Sequence, residues 1–488
     1  MTARKTFAIA FSVLVILALV FSSIPPSERA AGLGSLQERF RCPGCNVIII
    51  TADVFSPTRA GFGGSERNTT PNLDLFADKS IVFTKAFSPA ISTFDSSVSV
   101  LSGKRLSEHG SFVVFGFESE VPPVETTIFE RFSSIGYSTF ISTNGVLPSS
   151  VTDENGFVRG ARTEEYFKYL SREKDVLPAQ VDSFILSLGK LKEENAPFLA
   201  FFETGFLHKP YEFSYVEKMF GELPYSGVLS NKSLEGLFRL ERGVAYFDEM
   251  NLSFPVNSHD IEYLAARYDD KLLHLDREIG RILSFIENSG LSNNTLVVFT
   301  SYHGEALGEE GTFGHEYEFR AFRIPLIVGH PGIGKTTYPL PVELKDLWAT
   351  VEYSVAGSRP VEETFLSGDG LAVMEAPFVD FEDSQWEKTF FSELDPSVRH
   401  SLNSSILACA TDGKYFLEER GVSVKSGETF LVLREIDWET GRLSEPVLGI
   451  GEEELPGLFS KIEKRETRQG SFKPFLPRDV QFLPEESG

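Results

Sequence analysis

The 488-residue sequence predicts an α/β protein, with a large and mostly parallel sheet between layers of helices and a smaller antiparallel sheet near the C-terminus. Short apolar runs rich in β-branched residues recur along the chain, which is typical of strands buried on both faces. Segments with helical periodicity separate these runs, as they do in parallel sheets. Strand-like segments beyond residue 410 predict the second sheet.

The first predicted strand is NVIIITAD, which ends at Asp53. A helix is predicted at about 261–288, because apolar residues recur there at spacings of three and four. A shorter helix is predicted to begin near Asp95. The other predicted strands are YSTFIS, APFLAFFET (196–204), NTLVVFTS (294–301) and RIPLIVG (323–329) in the core, then KYFLEE and ETFLVLREIDW in the C-terminal part.

The N-terminal segment predicts export from the cytoplasm. MTARK carries two positive charges, and the run from Phe7 to Phe21 is almost wholly apolar. This length suits a signal peptide and is barely sufficient for a membrane anchor, so both interpretations stay open. We therefore expect the protein to be extracytoplasmic, either secreted or periplasmic, or attached to the membrane through its N-terminus.

Composition changes along the chain predict the domain organisation. The predicted parts are a signal peptide or anchor (1–24), a Pro- and Gly-rich linker (25–45), a core (46–335) with a Phe- and Tyr-rich insertion (210–258), and a C-terminal subdomain with a tail (336–488).

The charge balance and the cysteines exclude several classes of function. The chain has 70 acidic and 46 basic residues, and its net charge of -24 would repel nucleic acid. A small anionic substrate remains compatible with this charge, because a site inside an acidic protein can be locally positive or hold a metal. Cys42 and Cys45 predict a local disulfide or an idle pair, and Cys409 is predicted to be a buried apolar residue.

Polar residues follow several predicted strands directly. Asp53, His208 and the Tyr302-His303 pair stand just past strand ends, and such residues meet at one edge of a parallel sheet. Asp53 is a candidate ligand for a divalent cation, although a cap or turn role is the alternative. Thr93 precedes the short helix, so its hydroxyl is either a helix cap or a nucleophile.

Two blocks of the chain resemble the sulfatase family of the alkaline phosphatase superfamily. The first runs from NVIIITADVF to STFDSSVSVLSGKRLSEHG, and the second includes LDREIGRILSFIENSG and SYHGEALGEEGTFGHE. The resemblance extends from about residue 46 to 330, with a weaker echo at 410–417. It implies an alkaline-phosphatase-like sandwich fold.

The resemblance also implies roles for individual residues. Thr93 stands at the nucleophile position, and His208 and His315 stand where the family contacts the anionic group or the leaving group. The implied metal ligands are Asp53, Thr93, Tyr302 and His303. The implied substrate contacts are Lys104, Asn144 and Lys209.

The departures from the family pattern bear on the chemistry. The family's Cys/Ser-x-Pro-x-Arg motif is replaced by Thr93-Phe94-Asp95-Ser96-Ser97, so no formylglycine is expected. Val54 and Tyr302 replace two metal-binding aspartates, and a neutral phenol is a poorer ligand than a carboxylate. It stays open whether Asp95 or Glu305 compensates.

The sequence therefore predicts a metal-dependent hydrolase or transferase acting on sulfate or phosphate esters through Thr93. The expected metal is a divalent ion, and the sequence does not distinguish Ca²⁺, Mg²⁺, Mn²⁺ and Zn²⁺. The expected substrate is an anionic ester of a sugar, lipid headgroup or polymer. The alternative, favoured by Tyr302, is a catalytically degenerate relative that binds an anionic ligand without turnover.

Overall fold

The computed structural model describes the chain from residue 34 onwards, with gaps. The predicted N-terminal segment, Asn144 and His315 lie outside the described residues. The described ranges are 34–111, 113–114, 117–118, 126–143, 158–163, 175–209, 211, 215–220, 225–229, 237–241, 244–247, 252–308, 313–314, 319–368, 370, 372–378, 405–411, 414–423, 428–438 and 442–443.

The described strands follow one another along the whole chain. They are β1 (Asn46–Ala52), β2 (Ile81–Phe83), β3 (Ala86–Phe87), β4 (Val113–Val114), β5 (Phe117–Glu118), β6 (Ser138–Thr143), β7 (Arg162–Thr163), β8 (Phe198–Thr204), β9 (Leu237–Glu241), β10 (Val244–Phe247), β11 (Leu252–Pro255), β12 (Thr295–Thr300), β13 (Ala306–Leu307), β14 (Phe313–Gly314), β15 (Arg323–Ile324), β16 (Leu326–Gly329), β17 (Thr336–Tyr338), β18 (Val342–Glu343), β19 (Ala372–Phe378), β20 (Ser405–Thr411), β21 (Tyr415–Ser423), β22 (Glu428–Asp437) and β23 (Arg442–Leu443).

The helices alternate with the strands of the first three quarters of the chain. The α-helices are α1 (Pro71–Ala77), α2 (Thr93–Ser102), α3 (Leu106–His109), α4 (Ile128–Ser134), α5 (Leu177–Glu193), α6 (Ser258–Asn288), α7 (Phe319–Phe322) and α8 (Leu347–Val355). Residues 34–39 are also helical. Short 3-10 helices cover Pro57–Arg59, Gly61–Gly63, Leu291–Asn294, Leu344–Asp346 and Val361–Glu363.

The main sheet confirms the predicted fold class. Within the described residues it has eight strands in the order β17-β2-β16-β12-β1-β8-β6-β7. Its central strands β12, β1, β8 and β6 are parallel, and β16 runs antiparallel to both of its neighbours. The central strands are apolar on both sides, and helices cover both faces of the sheet and bury these side chains. The antiparallel strands β19 to β23 form the smaller C-terminal sheet.

Alternate residues of the central strands build two separate hydrophobic cores. Ile48 and Ile50 of β1 face α1, α5 and α6. Val47 and Ile49 face the other way and pack with α2, α4 and α8. This alternation follows from the two-residue period of a strand. It places the N-terminus of α2 on the second face, at the edge where β1, β8 and β12 end.

The structure differs from the predictions at several boundaries. RIPLIVG is not one strand, because Pro325 lacks an amide hydrogen and separates β15 from β16, which pair in different sheets. The main core continues past residue 335, since β17 joins the main sheet and α8 packs in its core. Leu36 and Phe40 of the predicted linker are also buried in that core.

Other predictions agree with the structure or lie largely outside it. Cys42 and Cys45 form a disulfide, and Cys409 is a buried free cysteine. The described part of the predicted insertion contains the antiparallel sheet β9 to β11. Among the described residues, which exclude 1–33, no helix is long and apolar enough to cross a membrane.

Candidate active site

The candidate site lies where three parallel strands end together. Asp53 follows β1, His208 lies on the loop after β8, and His303 lies on the loop after β12. The register places Thr51 of β1 level with Thr300 of β12 and with Glu203 of β8. The residues beyond these positions therefore meet at one edge of the sheet, as predicted.

Asp53 is at the centre of the site and is fully buried. Its amide donates to the Thr204 carbonyl at 2.9 Å, which continues the pairing of β1 with β8. Val54 then takes a positive φ of 55°, an uncommon conformation for a β-branched residue, and the chain turns away from the sheet. The turn leaves the Asp53 carboxylate at the strand end.

Thr93 is the first residue of α2, and its hydroxyl points into the site. Ser92 is the helix cap, because its side chain accepts a hydrogen bond from the amide of Asp95. The Thr93 hydroxyl instead donates to Oδ2 of Asp53 at 2.5 Å. It also lies 3.3 Å from Nε2 of His303 and 3.4 Å from Nε2 of His208. The capping alternative for Thr93 is therefore wrong.

His303 is held in one orientation by its own loop. Its Nδ1 lies 2.9 Å from the Gly304 carbonyl, which can only accept, so Nδ1 carries the hydrogen. In the neutral ring Nε2 then presents a lone pair, 3.7 Å from Oδ1 of Asp53. Glycine is required at position 304, since a Cβ there would lie 2.2 Å from the carbonyl oxygen of Arg320.

The three groups around Asp53 control its charge. Burial alone would raise the pKa of Asp53, but His303, His208 and the Thr93 hydroxyl together hold that pKa well below its usual value. Nε2 of His208 is 2.9 Å from Oδ2, the same oxygen that accepts from Thr93. The other oxygen, Oδ1, is buried and accepts no hydrogen bond from the described residues. Asp53 is therefore an ionised carboxylate with one free acceptor.

This arrangement fits a divalent metal ion. One ligand atom each from Asp53, His208 and His303 lies within 4.8 Å of the other two, so small adjustments bring them around one ion. The unsatisfied Oδ1 of Asp53 can bind the ion, and Nε2 of His303 faces this oxygen from 3.7 Å away. Two imidazoles and one carboxylate form a donor set that suits Zn²⁺ or Mn²⁺ better than Ca²⁺ or Mg²⁺.

Tyr302 is fixed by its backbone rather than by its phenol. Its carbonyl accepts hydrogen bonds from the hydroxyls of Ser88 and Ser96. The side chain is 1% exposed, and no described residue hydrogen-bonds to its hydroxyl. Burial raises the pKa of Tyr302 well above its usual value, and the charges of Glu203 and Asp53 raise it further. Tyr302 is therefore a neutral phenol and does not replace the charge of an aspartate.

The structure does not bring all the predicted site residues together. Lys104 is exposed beyond the C-terminal end of α2, which is about 15 Å from Thr93 along ten helical residues. Lys104 therefore does not reach the substrate position at Thr93, contrary to the expected contact. Lys209 is half-buried next to His208. Glu305 accepts a hydrogen bond from the Tyr211 hydroxyl.

Two buried ionisable residues near the site were not predicted from the sequence. Lys271 of α6 is 0% exposed, and its Nζ donates to the His208 carbonyl at 2.7 Å. Glu203 is 0% exposed at the end of β8. Burial raises the pKa of Glu203 to about 8, the Thr143 hydroxyl opposes this, and the charge of Asp53 adds to it. A single acidic residue in the apolar run APFLAFFET was the available signal for Glu203.

Comparison with known proteins agrees with this geometry. The family model described as Sulfatase matches residues 45–352. The chain belongs to the sulfatase family. The match covers the central strands, α2 and the loops that carry His208 and His303, so the candidate site lies within the family domain.

Curated relatives of this sulfatase-family chain match at moderate identity. The arylsulfatase of Clostridium perfringens is 26% identical over 344 residues, which are 59% of this chain and 69% of that protein. Human iduronate 2-sulfatase is 27% identical over 366 residues, 65% of each chain. A third relative, the ulvan-active sulfatase of Formosa agariphila, is 25% identical, and the match covers 62% of this chain and 60% of that protein. The chain thus spans about two thirds of the length of these relatives.

Solved structures confirm the fold over most of the chain. The phosphonate monoester hydrolase of Agrobacterium radiobacter has a TM-score of 0.61 at 17% identity, covering 87% of this chain and 95% of that chain. The corresponding enzyme of Silicibacter pomeroyi has a TM-score of 0.62 at 16% identity, with 88% and 96% covered. These neighbours support the alkaline-phosphatase-like sandwich.

Proposed function

We propose that the protein hydrolyses or transfers sulfate or phosphate esters with Thr93 as covalent nucleophile and a divalent metal ion as cofactor. The observation that carries the proposal is the contact between Thr93 and Asp53 at 2.5 Å, with both histidines within 3.4 Å of the hydroxyl. Because Ser92 already caps the N-terminus of α2, the Thr93 hydroxyl is not needed as the cap. We infer that its position beside Asp53, His208 and His303 serves a nucleophilic role.

Asp53, His208 and His303 would hold the metal ion. When bound, the ion would lower the pKa of the Thr93 hydroxyl and neutralise charge on the transferred group. Asp53 orients the hydroxyl, and Gly304 keeps Nδ1 of His303 protonated so that Nε2 faces inward. The N-terminal end of α2 adds unpaired amides and a positive dipole end beside the anion.

The proposed reaction has two steps. First, Oγ1 of Thr93 forms a bond to sulfur or phosphorus while the ester oxygen–sulfur or oxygen–phosphorus bond breaks. The alcohol leaves with a proton, which balances the proton that Thr93 loses. Water then cleaves the threonine ester, restores the hydroxyl and releases sulfate or phosphate; in a transferase an acceptor alcohol replaces water. We keep His315 as the expected contact for the leaving group, and no formylglycine takes part.

The substrate class is inferred from chemistry and from the relatives. Two of the relatives are an iduronate 2-sulfatase and an ulvan-active sulfatase, and the two solved structures described above are phosphonate monoester hydrolases. These names support an anionic ester of a sugar, lipid headgroup or polymer as the substrate of this chain. We propose an extracytoplasmic location, based on the charged and apolar N-terminal segment.

A panel of sulfate monoesters, phosphate mono- and diesters and phosphonate monoesters tests the proposal. Each ester is assayed with wild type and with Thr93→Ala, after chelation and after restoring Zn²⁺ or Mn²⁺. We expect turnover of at least one ester that needs both the metal and Thr93. Metal-dependent turnover that survives in Thr93→Ala would exclude the nucleophile role. Anion binding without turnover of any ester would support the degenerate alternative instead.

A further inference from the structure

A cavity of about 250 Å³ lies at the same edge of the main sheet as the candidate active site. Leu326 of β16 lines it and pairs with Thr300 of β12, which is level with Thr51 of β1. Neighbouring strands are about 4.8 Å apart, so β16 lies about 10 Å from β1 at this edge. Pro57 from the loop after β1 and Trp438 from the turn after β22 also line the space, which we name the Trp438 cavity.

Two cationic side chains meet at the indole ring of this cavity. Nζ of Lys85 lies 4.9 Å from the centre of the Trp438 ring, and the guanidinium carbon of Arg323 lies 4.8 Å from it. Both cations line the cavity, and none of its described lining residues is acidic. The indole attracts each cation, but two positive charges around one ring repel each other. A bound anion would offset that repulsion, so the cavity suits an anionic group although the whole chain has a net charge of -24.

The surrounding packing fixes these side chains. Arg323 pairs with Phe87 across β15 and β3, so their side chains point to the same face. The ring centres of Phe87 and Phe319 lie 6.2 Å and 6.0 Å from that of Trp438. Arg323 is 9% exposed, while Lys85 and Trp438 are half-buried. A ligand that binds here therefore removes less side-chain freedom than it would on an open surface.

The backbone that carries the two cations is also joined to the nucleophile helix. The amide of Ser88 donates to the carbonyl of Phe322, the neighbour of Arg323, at 2.7 Å. The hydroxyl of Ser88 lies 3.0 Å from that of Ser96, which is in the first turn of α2 after Thr93. These contacts set the distance between the cavity and the Thr93 hydroxyl, so one ligand held at both places would have a defined length.

We propose that the Trp438 cavity binds a second anionic group of the substrate, which is therefore a sugar chain with anionic groups on neighbouring units. This inference rests on the proposed function, because it takes the reacting ester to lie at Thr93. The separation across two strands exceeds the size of one sugar ring, so the second group belongs to the next unit. The cavity is slightly smaller than typical small-molecule sites of about 300–1,000 Å³, which suits one such unit. Arg323 and Lys85 would bind its sulfate, carboxylate or phosphate.

Calorimetric titration with two sulfated disaccharides of the same sugars tests the proposal. One has a single sulfate, and the other has an additional sulfate on the second sugar. The parent protein is Thr93→Ala, so that neither ligand is consumed during the titration. A hydrogen bond to a charged group typically changes affinity about tenfold or more, so we expect the second sulfate to tighten binding at least about tenfold. The gain should shrink at high salt, because the cavity is open to solvent at the half-buried Lys85.

Substitutions in the same parent protein locate the second sulfate. Lys85→Gln and Arg323→Gln should each lose most of the gain in affinity. Lys335→Gln is the matched control and should keep the gain, because Lys335 is exposed just before β17, at the opposite edge of the sheet. If the buried Arg323→Gln does not fold, the half-buried Lys85→Gln still decides the result. Binding of the second sulfate should also change tryptophan emission, and Trp438→Phe should lose that change.

The outcomes are distinct. Equal affinity for the two disaccharides, or a gain that survives in both Lys85→Gln and Arg323→Gln, would overturn the inference; turnover in the ester panel would then leave the proposed function standing. Sodium sulfate that changes the Trp438 emission without any gain from the second sulfate would make the cavity a free-anion site, which also contradicts a substrate role. A gain that depends on Arg323 and Lys85 in a protein without turnover would support the cavity and overturn only the proposed catalysis.

Discussion

The Thr93 hydroxyl donates a 2.5 Å hydrogen bond to the Asp53 carboxylate, while its neighbour Ser92 caps the helix that both residues begin. Two adjacent hydroxyls therefore have separate tasks, one in the stability of α2 and one at the end of β1. This division makes the two residues matched controls for each other, since each substitution removes one hydroxyl from the same turn.

Substituting Ser92 by alanine should mainly lower stability, whereas substituting Thr93 by alanine should mainly lower activity. Ser92→Ala removes a cap and should cost about 1 kcal/mol of unfolding free energy, with turnover largely kept. Thr93→Ala should abolish turnover and change stability less, and Thr93→Ser should keep part of the activity because the hydroxyl remains. Urea unfolding and ester hydrolysis are measured in parallel. A Thr93→Ala protein as active as Ser92→Ala would contradict the assignment.

Metal binding should stabilise the folded protein. An ion that binds only the folded state at a hundred times its dissociation constant adds about 2.7 kcal/mol, so Zn²⁺ or Mn²⁺ should raise the thermal unfolding midpoint of wild type. Asp53→Asn and His303→Ala should lose most of this shift. His109→Gln is the control, because His109 is buried against Ser99 outside the Asp53 cluster. A metal-induced shift that persists in Asp53→Asn would place the ion elsewhere.

Lys271 should be needed to hold the loop of His208. Lys271→Met fits the aromatic surroundings, where Nζ lies 5.0 Å from the centre of the Phe206 ring, but removes the hydrogen bond to the His208 carbonyl. Removing one partner of a hydrogen bond away from bulk water costs about 1–3 kcal/mol, and the looser loop should weaken metal binding as well. Urea unfolding and metal competition measure the two effects.

A surface lysine provides the matched comparison for Lys271. Lys192 also donates to a backbone carbonyl, that of Ser289 at 2.6 Å, but this hydrogen bond is exposed. Lys192→Met should therefore cost less than about 0.5 kcal/mol, since water replaces the lost donor. Equal costs at the two positions would show that burial of the Lys271 contact has no special effect.

Asp276 should make stability depend on pH between about 4 and 6. Burial raises the pKa of Asp276 to about 6, although the amides of Asn72 and Leu73 oppose this. In that window the folded protein holds a proton that the unfolded chain has lost, so stability falls as pH rises. The difference in unfolding free energy between wild type and Asp276→Asn should fall by about 2 kcal/mol from pH 4 to 7, and then level off. Urea unfolding at stepped pH measures it, and a rising difference would contradict the sign.

The sequence alone determined the fold class and most of the candidate site. Asp53, His208 and His303 each follow an apolar run that has to be a buried strand, and parallel strands align their ends whatever the details of packing. Local composition thus predicted which residues meet. It also predicted the disulfide as one of two alternatives for Cys42 and Cys45, since three residues of spacing suffice to form it.

Only the tertiary structure decided how these residues are used. Both Ser92 and Thr93 are good caps by residue type, and the choice depends on the direction in which α2 approaches Asp53. The same direction carries Lys104 away from the site, and the register of β8 against β1 sets Glu203 beside Thr51. Such contacts join residues tens to hundreds of positions apart, so they depend on the packing of whole elements, which local periodicity does not encode.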